Sequence, residues 1–352
     1  MDLSKREAAA AAIWSKTLSL TTDWLSRLLA MVAVSGRLDI HCVYQAPWRI
    51  EQPQSETGAM PYHAIIAGSA ILEDPKVGKR RHLKAGDIVL IPHGGAHVLH
   101  DGSGAPAIPS SIRQGRNLLI SENTGTGQRL DMLCGHIILA SPEDRLIREY
   151  LPENLVVRSV EPNREAPEKA LISELTSLVS LMRLEAASDS LGGRAMLNAL
   201  SAAMFTLTLR SASQAQDSPV GLLALAANPR LAPALSAILH EPSKAWTLPK
   251  LAKLCNMSRA TAARQFQEKL GRSANDLLSD IRMTMAAHEL RKPLATIGTV
   301  ADLVGYQSEA AFQRAFKQHI GLTPAVWRRQ NLPSQPLALM FGDGAAQHNL
   351  SP

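Results

Sequence analysis

Two cysteines and two histidines are the side chains in this sequence best placed to do chemistry. Cys42, His63, His97 and Cys134 are each expected in or beside a β-strand, well apart in the N-terminal half. Two thiolates and two imidazoles are the tetrahedral set that zinc prefers, so a fold that gathers the four is expected to hold one zinc per chain. Their spacing is not that of a local zinc finger, and the signal rests entirely on strand pairing. His93, His100 and His136 lie close enough in sequence to replace one of the four. The plainer alternative makes Cys42 and Cys134 small buried apolar residues and His97 a satisfied core histidine. With Cys255 the chain has three cysteines, too few and too odd in number for a disulfide framework. Cys255 sits on the inward face of an expected helix and is read as structural.

The elements that must position these residues follow from a change of period. Leu25, Leu28, Leu29 and Val32 recur at helical spacing, after which residues 38–48, 62–72, 82–91 and 129–139 alternate. Short alternating runs broken by Gly and Pro predict a small β-barrel or jelly roll. Residues 102–127, rich in Gly, Ser, Asn and Pro, are expected to form a long loop. Leu/Ile/Ala stripes at 168–187, 192–210 and 220–240 predict helices, with breaks at Gly192-Gly193, at 213–218 and at Asn228-Pro229. Within the alternating region, Gly86-x5-Pro92-x-Gly94-x2-His97-x3-Asp101 resembles the second motif of the cupin barrel, with Asp where Asn is usual. The first cupin motif is degraded to His63, without the second His and the Glu of a catalytic metal set.

A second chemistry lies in residues 246–329, which contain one unit twice. Ser258, Arg264, Phe266 and Gly271 recur 50 positions later as Ser308, Arg314, Phe316 and Gly321, and Leu251, Ala252 and Met257 recur 49 positions later as Val300, Ala301 and Tyr306. A fixed repeat with one residue inserted in the turn marks a duplicated supersecondary unit. Each copy predicts helix, tight turn, helix: Thr247 caps the first helix, Ser258 and Ser308 cap the second, and Gly271 and Gly321 end it. Two helices joined this tightly form the helix-turn-helix that reads DNA through its second helix. Between Trp246 and Gln330 there are 13 Lys/Arg against 6 Asp/Glu, a net of +7, while the whole chain carries +6. The basic character therefore belongs to this segment, as contact with phosphate requires.

These two units, the helix expected to join them and the terminal Gly321-Leu-Thr-Pro324-x-x-Trp327-Arg328 resemble the DNA-binding domain of the AraC/XylS family of transcription regulators. The joining helix, expected at residues 274–291, would span roughly 27 Å at 1.5 Å per residue. That approaches the roughly 34 Å between successive major grooves. The resemblance implies base-reading positions at Ala260, Ala263 and Arg264 in the first unit, and at Glu309, Ala310, Ala311 and Arg314 in the second. Arg259 and Thr261 are neighbouring candidates for phosphate or base contacts. Arg264 and Arg314 can each grip a guanine edge, whereas the alanines can touch only a thymine methyl. The N-terminal half is similar to the cupin-type sensor found in one branch of the family. Asp39-x-x-Cys42, Tyr62-His63, Pro92-His93-x-x-Ala96-His97 and Leu133-Cys134-Gly135 resemble the sensor of its reactive-chlorine-responsive members. That implies a redox role for Cys42 and Cys134, and thiolates are indeed readily oxidised by hypochlorous acid.

The expected fold class is thus α+β in two domains: a cupin-like β-barrel followed by helices, then an all-α domain with two helix-turn-helix motifs. The expected segments are an extension at 1–22, the barrel at 23–160, a helical dimerisation region at 161–240, the DNA-binding domain at 241–332 and a tail at 333–352. The expected function is a cytosolic, homodimeric regulator, an activator, that binds promoter DNA, engages RNA polymerase and is switched by cysteine oxidation. No apolar run approaches the ~20 residues of a membrane span. Two alternatives compete: a receptor for a small organic effector in the barrel, and a metal-dependent cupin enzyme fused to a DNA anchor. The degraded first motif argues against the enzyme, because a closed four-ligand site leaves no open coordination position.

Overall fold

A computed structural model describes residues 23–140, 144–158, 166–188, 190–215 and 218–331; the expected extension at 1–22 and tail at 333–352 lie outside the described residues. The chain opens with helix α1 (Trp24–Val32), capped by Asp23, whose carboxylate accepts from the Ser26 amide at 3.0 Å. Strands β1 (Val34–Gln45), β2 (Arg49–Gln52), β3 (Ala59–Ala67), β4 (Ser69–Glu73), β5 (Arg80–Lys84), β6 (Ile88–Leu90) and β7 (His97–His100) follow. Then come β8 (Ser110–Gln114), β9 (Leu119–Asn123), β10 (Arg129–Leu139), helix α2 (Asp144–Tyr150) and β11 (Leu155–Val157).

The strands form two sheets rather than one closed barrel. The larger runs β11-β6-β3-β10-β1-β9-β8 and the smaller β2-β7-β4-β5, in a cupin-like layout. Residues 102–127 are not one long loop: β8 and β9 lie inside, and β9 pairs in parallel with β1, Cys42 opposite Ser121. Every residue of β8 is exposed and β9 buries only Ser121, so neither strand has an apolar face to alternate. Between the sheets a core of Tyr44, Trp48, Ile65, Leu72, Leu83 and Leu99 fills the interior.

The outer face of the large sheet is covered by helices α3 (Ala166–Ala187) and α4 (Gly193–Gln214). The approach is very close. A Cβ on Gly36 of β1 would sit 2.4 Å from the Ala202 nitrogen of α4. Ser201 of α4 donates to the Leu197 carbonyl, so the 2.7 Å contact between Tyr62 and Ser201 has the phenol as donor, tying β3 to α4. The stripe at 220–240 forms two helices, α5 (Leu222–Ala227) and α6 (Ala232–His240), split at the expected Asn228-Pro229 break, where Pro229 lacks a donor.

The DNA-binding part comprises α7 (Leu248–Leu254), α8 (Arg259–Leu270), α9 (Ala274–Glu289), α10 (Ile297–Leu303), α11 (Glu309–Ile320) and α12 (Pro324–Asn331). Helices α8 and α11 have twin ends: Ser258 accepts from the Thr261 amide and Ser308 from the Ala311 amide, while Gly271 and Gly321 close them in the left-handed region. Thr247 occupies the N-cap of α7 without a capping hydrogen bond from its side chain. The joining helix α9 is two residues shorter than expected, at 16 residues or roughly 24 Å. No described helix is long and apolar enough to cross a membrane.

Packing does not divide where the sequence suggests. Leu251, Cys255, Phe266 and Leu270 of the first unit, with Leu277 of α9, belong to the same buried cluster as the outer sheet face and helices α1 to α6. The second unit has its own core of Met283, Val300, Val304, Phe312, Phe316 and Trp327.

Candidate functional site

Strand register brings the sensor residues together. Cys134 on β10 faces His63 on β3 directly, and Cys42 on β1 lies diagonally from Cys134, since Ile40 pairs with Cys134 and Cys42 with Met132. All three side chains point between the sheets, and His97 reaches them from β7 of the other sheet. The result is a row. Cys42 Sγ lies 3.9 Å from Cys134 Sγ, Cys134 Sγ 3.1 Å from His63 Nδ1, and His63 Nε2 2.8 Å from His97 Nε2. Cys42, His63 and His97 are each 3 % exposed and Cys134 7 %.

Hydrogen-bond roles along the row follow from its far end. His97 Nδ1 lies 2.8 Å from the Gly95 carbonyl, which can only accept, so that nitrogen carries the proton. In the neutral ring His97 Nε2 then accepts, and His63 Nε2 must donate to it. That leaves His63 Nδ1 as an acceptor facing the Cys134 thiol. Both rings are neutral: burial, and then His97, hold His63 well below the ordinary imidazole range, and burial depresses His97. The two thiols differ. The neighbouring Cys134 thiol lowers the pKa of Cys42, whereas the Cys42 sulfur, and then burial, push Cys134 well above the ordinary range. Cys134 has a single proton, shared between the His63 nitrogen and the Cys42 sulfur, and so it is the protonated thiol with a base in reach.

The donor set has the chemistry of a zinc site, but its arrangement does not fit one. His63 turns one nitrogen to Cys134 and the other to His97, so the four side chains are strung in line rather than around a point. Among the described residues no group of three or more His, Cys, Asp or Glu converges as a metal site. The three histidines considered as substitutes are engaged elsewhere. His93 meets the Leu151 carbonyl, His100 pairs with Glu73, and His136 bonds to Asp39. A cavity of about 190 Å³, lined in part by Gln54, Glu73, His93 and Glu153, opens on the His97 end of the row.

At the other end of the molecule, α8 and α11 turn their apolar faces inward through Ala262 and Phe266, and through Phe312 and Phe316. Arg259, Ala260, Ala263 and Arg264 are exposed on α8, and Glu309, Ala310 and Arg314 on α11. Thr261 and Ala311 are half-buried; both supply the amides that the capping serines receive. Arg264 makes a loose 3.6 Å pair with Glu268, of little energetic weight on an open surface.

A cupin family profile matches residues 23–214, and a helix-turn-helix domain profile residues 251–330. The chain is 30% identical over 308 residues to an uncharacterized HTH-type transcriptional regulator of Haemophilus influenzae, covering 87% of this chain and 98% of that one. The chain belongs to the AraC family of helix-turn-helix transcriptional regulators. Within the family it is 29% identical to the RCS-specific HTH-type transcriptional activator RclR of Escherichia coli, over 88% of this chain and 98% of the relative. It is 27% identical to the HTH-type transcriptional regulator MtrA of Neisseria gonorrhoeae, again over 88% and 98%. As an AraC-family regulator it binds double-stranded DNA through the two helix-turn-helix units.

One cluster in this AraC-family chain has no local sequence signature. Asp280 of α9 is buried and accepts from Tyr150 of α2, from Arg272 at 2.9 Å, and faces His319 of α11 at 3.4 Å. The partners lie up to 130 positions apart, so only the fold reveals them.

Proposed function

We propose that this chain is a transcriptional activator switched by oxidation of Cys42 and Cys134 to a disulfide. The observation that carries it is the buried 3.9 Å sulfur pair with a neutral histidine acceptor on one thiol. Hypochlorous acid, or an oxidant of that class, reacts at Cys42, the thiol without a histidine partner. Its thiolate takes the chlorine, an S–Cl bond forming as the O–Cl bond breaks and hydroxide leaves. Cys134 then passes its proton to His63 Nδ1, and its sulfur displaces chloride to form the S–S bond. Two electrons leave the thiol pair, and the chlorine ends as chloride. His63 hands its Nε2 proton to His97, whose ring borders the cavity.

The similarity to RclR, an RCS-specific activator by name, supports this reading. Diagonal neighbours across two strands lie roughly 7–8 Å apart at Cα, whereas disulfides take about 4.4–6.8 Å. Closing the bond therefore has to draw β1 and β10 together, which is what a switch needs. We further propose that the exposed Leu181, Leu184 and Met196 on α3 and α4 form the homodimer contact, and that RNA polymerase is the partner at the promoter.

The test is operator binding before and after hypochlorous acid, on a DNA fragment selected by the protein from a random pool. Wild type should change affinity on oxidation, while Cys42→Ser and Cys134→Ser should bind in the reduced state and not respond. Serine variants that respond like wild type would refute the reading.

A further inference from the structure

Sensor helix α2 meets both helix-turn-helix units at one buried carboxylate. Asp280 lies in the joining helix α9, 5 % exposed, and three elements converge on it. Tyr150, the last residue of α2, donates its phenol to Oδ2. Arg272, in the turn between the first recognition helix α8 and α9, donates to the same oxygen at 2.9 Å and also pairs with Glu149 of α2. His319, in the last turn of the second recognition helix α11, faces Oδ1 at 3.4 Å. Arg145 of α2 completes the ring, bonding to Glu149 at 2.9 Å and to the His319 carbonyl at 2.5 Å.

Every sensor residue in this cluster sits on α2, and α2 follows β10 along the chain after Leu139. Cys134 is on β10. Leu139 and Asp144 are five positions apart, so a displacement of β10 would bear on α2, whose Tyr150 donates to Asp280. The carboxylate in turn touches the end of the first unit and the end of the second. A buried carboxylate stripped of one partner is costly, so the cluster favours discrete arrangements over gradual loosening.

Nothing here hides the DNA-reading faces, since Arg264 and Arg314 remain exposed. The contact cannot act by occlusion. What it can set is the disposition of α11 relative to α8, because the first unit shares the sensor core and the second has a core of its own.

We propose that the Tyr150–Asp280 hydrogen bond is the coupling through which the sensor positions the second helix-turn-helix unit against the first. The proposal rests on the cysteine switch above. Burial, followed by the Asp280 bond, keeps the Tyr150 phenol protonated throughout the physiological range, so it is a permanent donor. Tyr150→Phe removes that donor and keeps the ring, including its packing under the Arg272 guanidinium 5.4 Å from the ring centroid.

The experiment measures operator affinity of full-length reduced and oxidised protein, with thiol loss counted on the same samples. Wild type should show a reduced-to-oxidised ratio in the range of about 5–150-fold expected for coupled sites. Tyr150→Phe should lose its thiols at the wild-type rate, with the affinity ratio collapsing to within about twofold. Glu149→Gln, a more exposed change that weakens the Arg272 clamp, should give an intermediate ratio and covers the case in which Tyr150→Phe does not fold. A full ratio in both variants overturns the coupling while leaving the cysteine switch intact. Wild type that loses its thiols without any change in affinity overturns the switch, and the coupling with it.

Discussion

The two helix-turn-helix units arise from one repeated pattern and end in the same caps, yet they are held differently. The first buries Phe266 and Leu270 in a core continuous with the sensor helices, and the Gly221 amide of the sensor part donates to the Lys269 carbonyl in its last turn at 2.8 Å. The second packs Phe312, Phe316 and Trp327 into a core of its own and meets the sensor through the polar contacts of Arg145, His319 and Asp280. Apolar burial is non-directional and tolerates little displacement at native density, whereas a hydrogen-bonded contact has alternative partners. One sequence motif is therefore seated once in a core shared with the sensor and once on polar contacts to it.

The largest test of that contrast is in the cores. Phe266→Ala and Phe316→Ala should each cost about 3–5 kcal/mol where the ring is buried. Phe266→Ala should lower the thermal transition of the sensor as well, and Phe316→Ala should melt the second unit while leaving the sensor transition in place. Calorimetry of the two variants checks this, and identical profiles would dissolve the distinction.

Next come the base contacts. Arg264→Ala and Arg314→Ala should each cost about 1–3 kcal/mol of specific affinity and relax selectivity at one base pair. If the second unit is the adjustable one, the Arg314 loss should differ between reduced and oxidised protein and the Arg264 loss should not. Titrations of both variants in both redox states decide it. Affinity should also fall steeply with salt for both units, as phosphate contacts demand.

A smaller effect is expected with pH, confined to the sensor. His63 and His97 have depressed pKa values in the folded chain, so below about pH 6.5 the unfolded chain takes up protons that the folded one refuses. Stability is complete above that value and declines as pH falls, by up to about 1.4 kcal/mol per pH unit for each fully buried histidine. His63→Gln should flatten the decline, measured by urea unfolding between pH 7.5 and 5.5.

The DNA-binding half was legible because everything that defines it is local. Capping serines, terminal glycines and inward phenylalanines recur at fixed spacing, and the structure returns them at the ends and on the inner faces of α8 and α11. The sensor was legible only in part. Alternation found β1, β3 and β10, but β8 and β9 bury no apolar face and so carry no period. The gathering of Cys42, His63, His97 and Cys134 was foreseeable from their strands, yet their order was not. Whether four donors surround a point or stand in line depends on register and on which ring nitrogen faces which neighbour. The Asp280 cluster was out of reach for the same reason, since no spacing links Tyr150 to a helix 130 positions later. The shared core of the first unit was hidden too, because Leu251 and Phe266 look alike whether they pack within the unit or against the sensor.

The central claim is that the thiol pair itself is the switch, with no metal between the sulfurs. The direct measurement titrates anaerobically purified protein with hypochlorous acid, following bound zinc, the Cys42–Cys134 linked peptide by mass, and operator affinity together. The account predicts substoichiometric zinc at the start, and a linked peptide that grows in step with the change in affinity. One zinc per chain released as affinity changes, with no linked peptide, would contradict it.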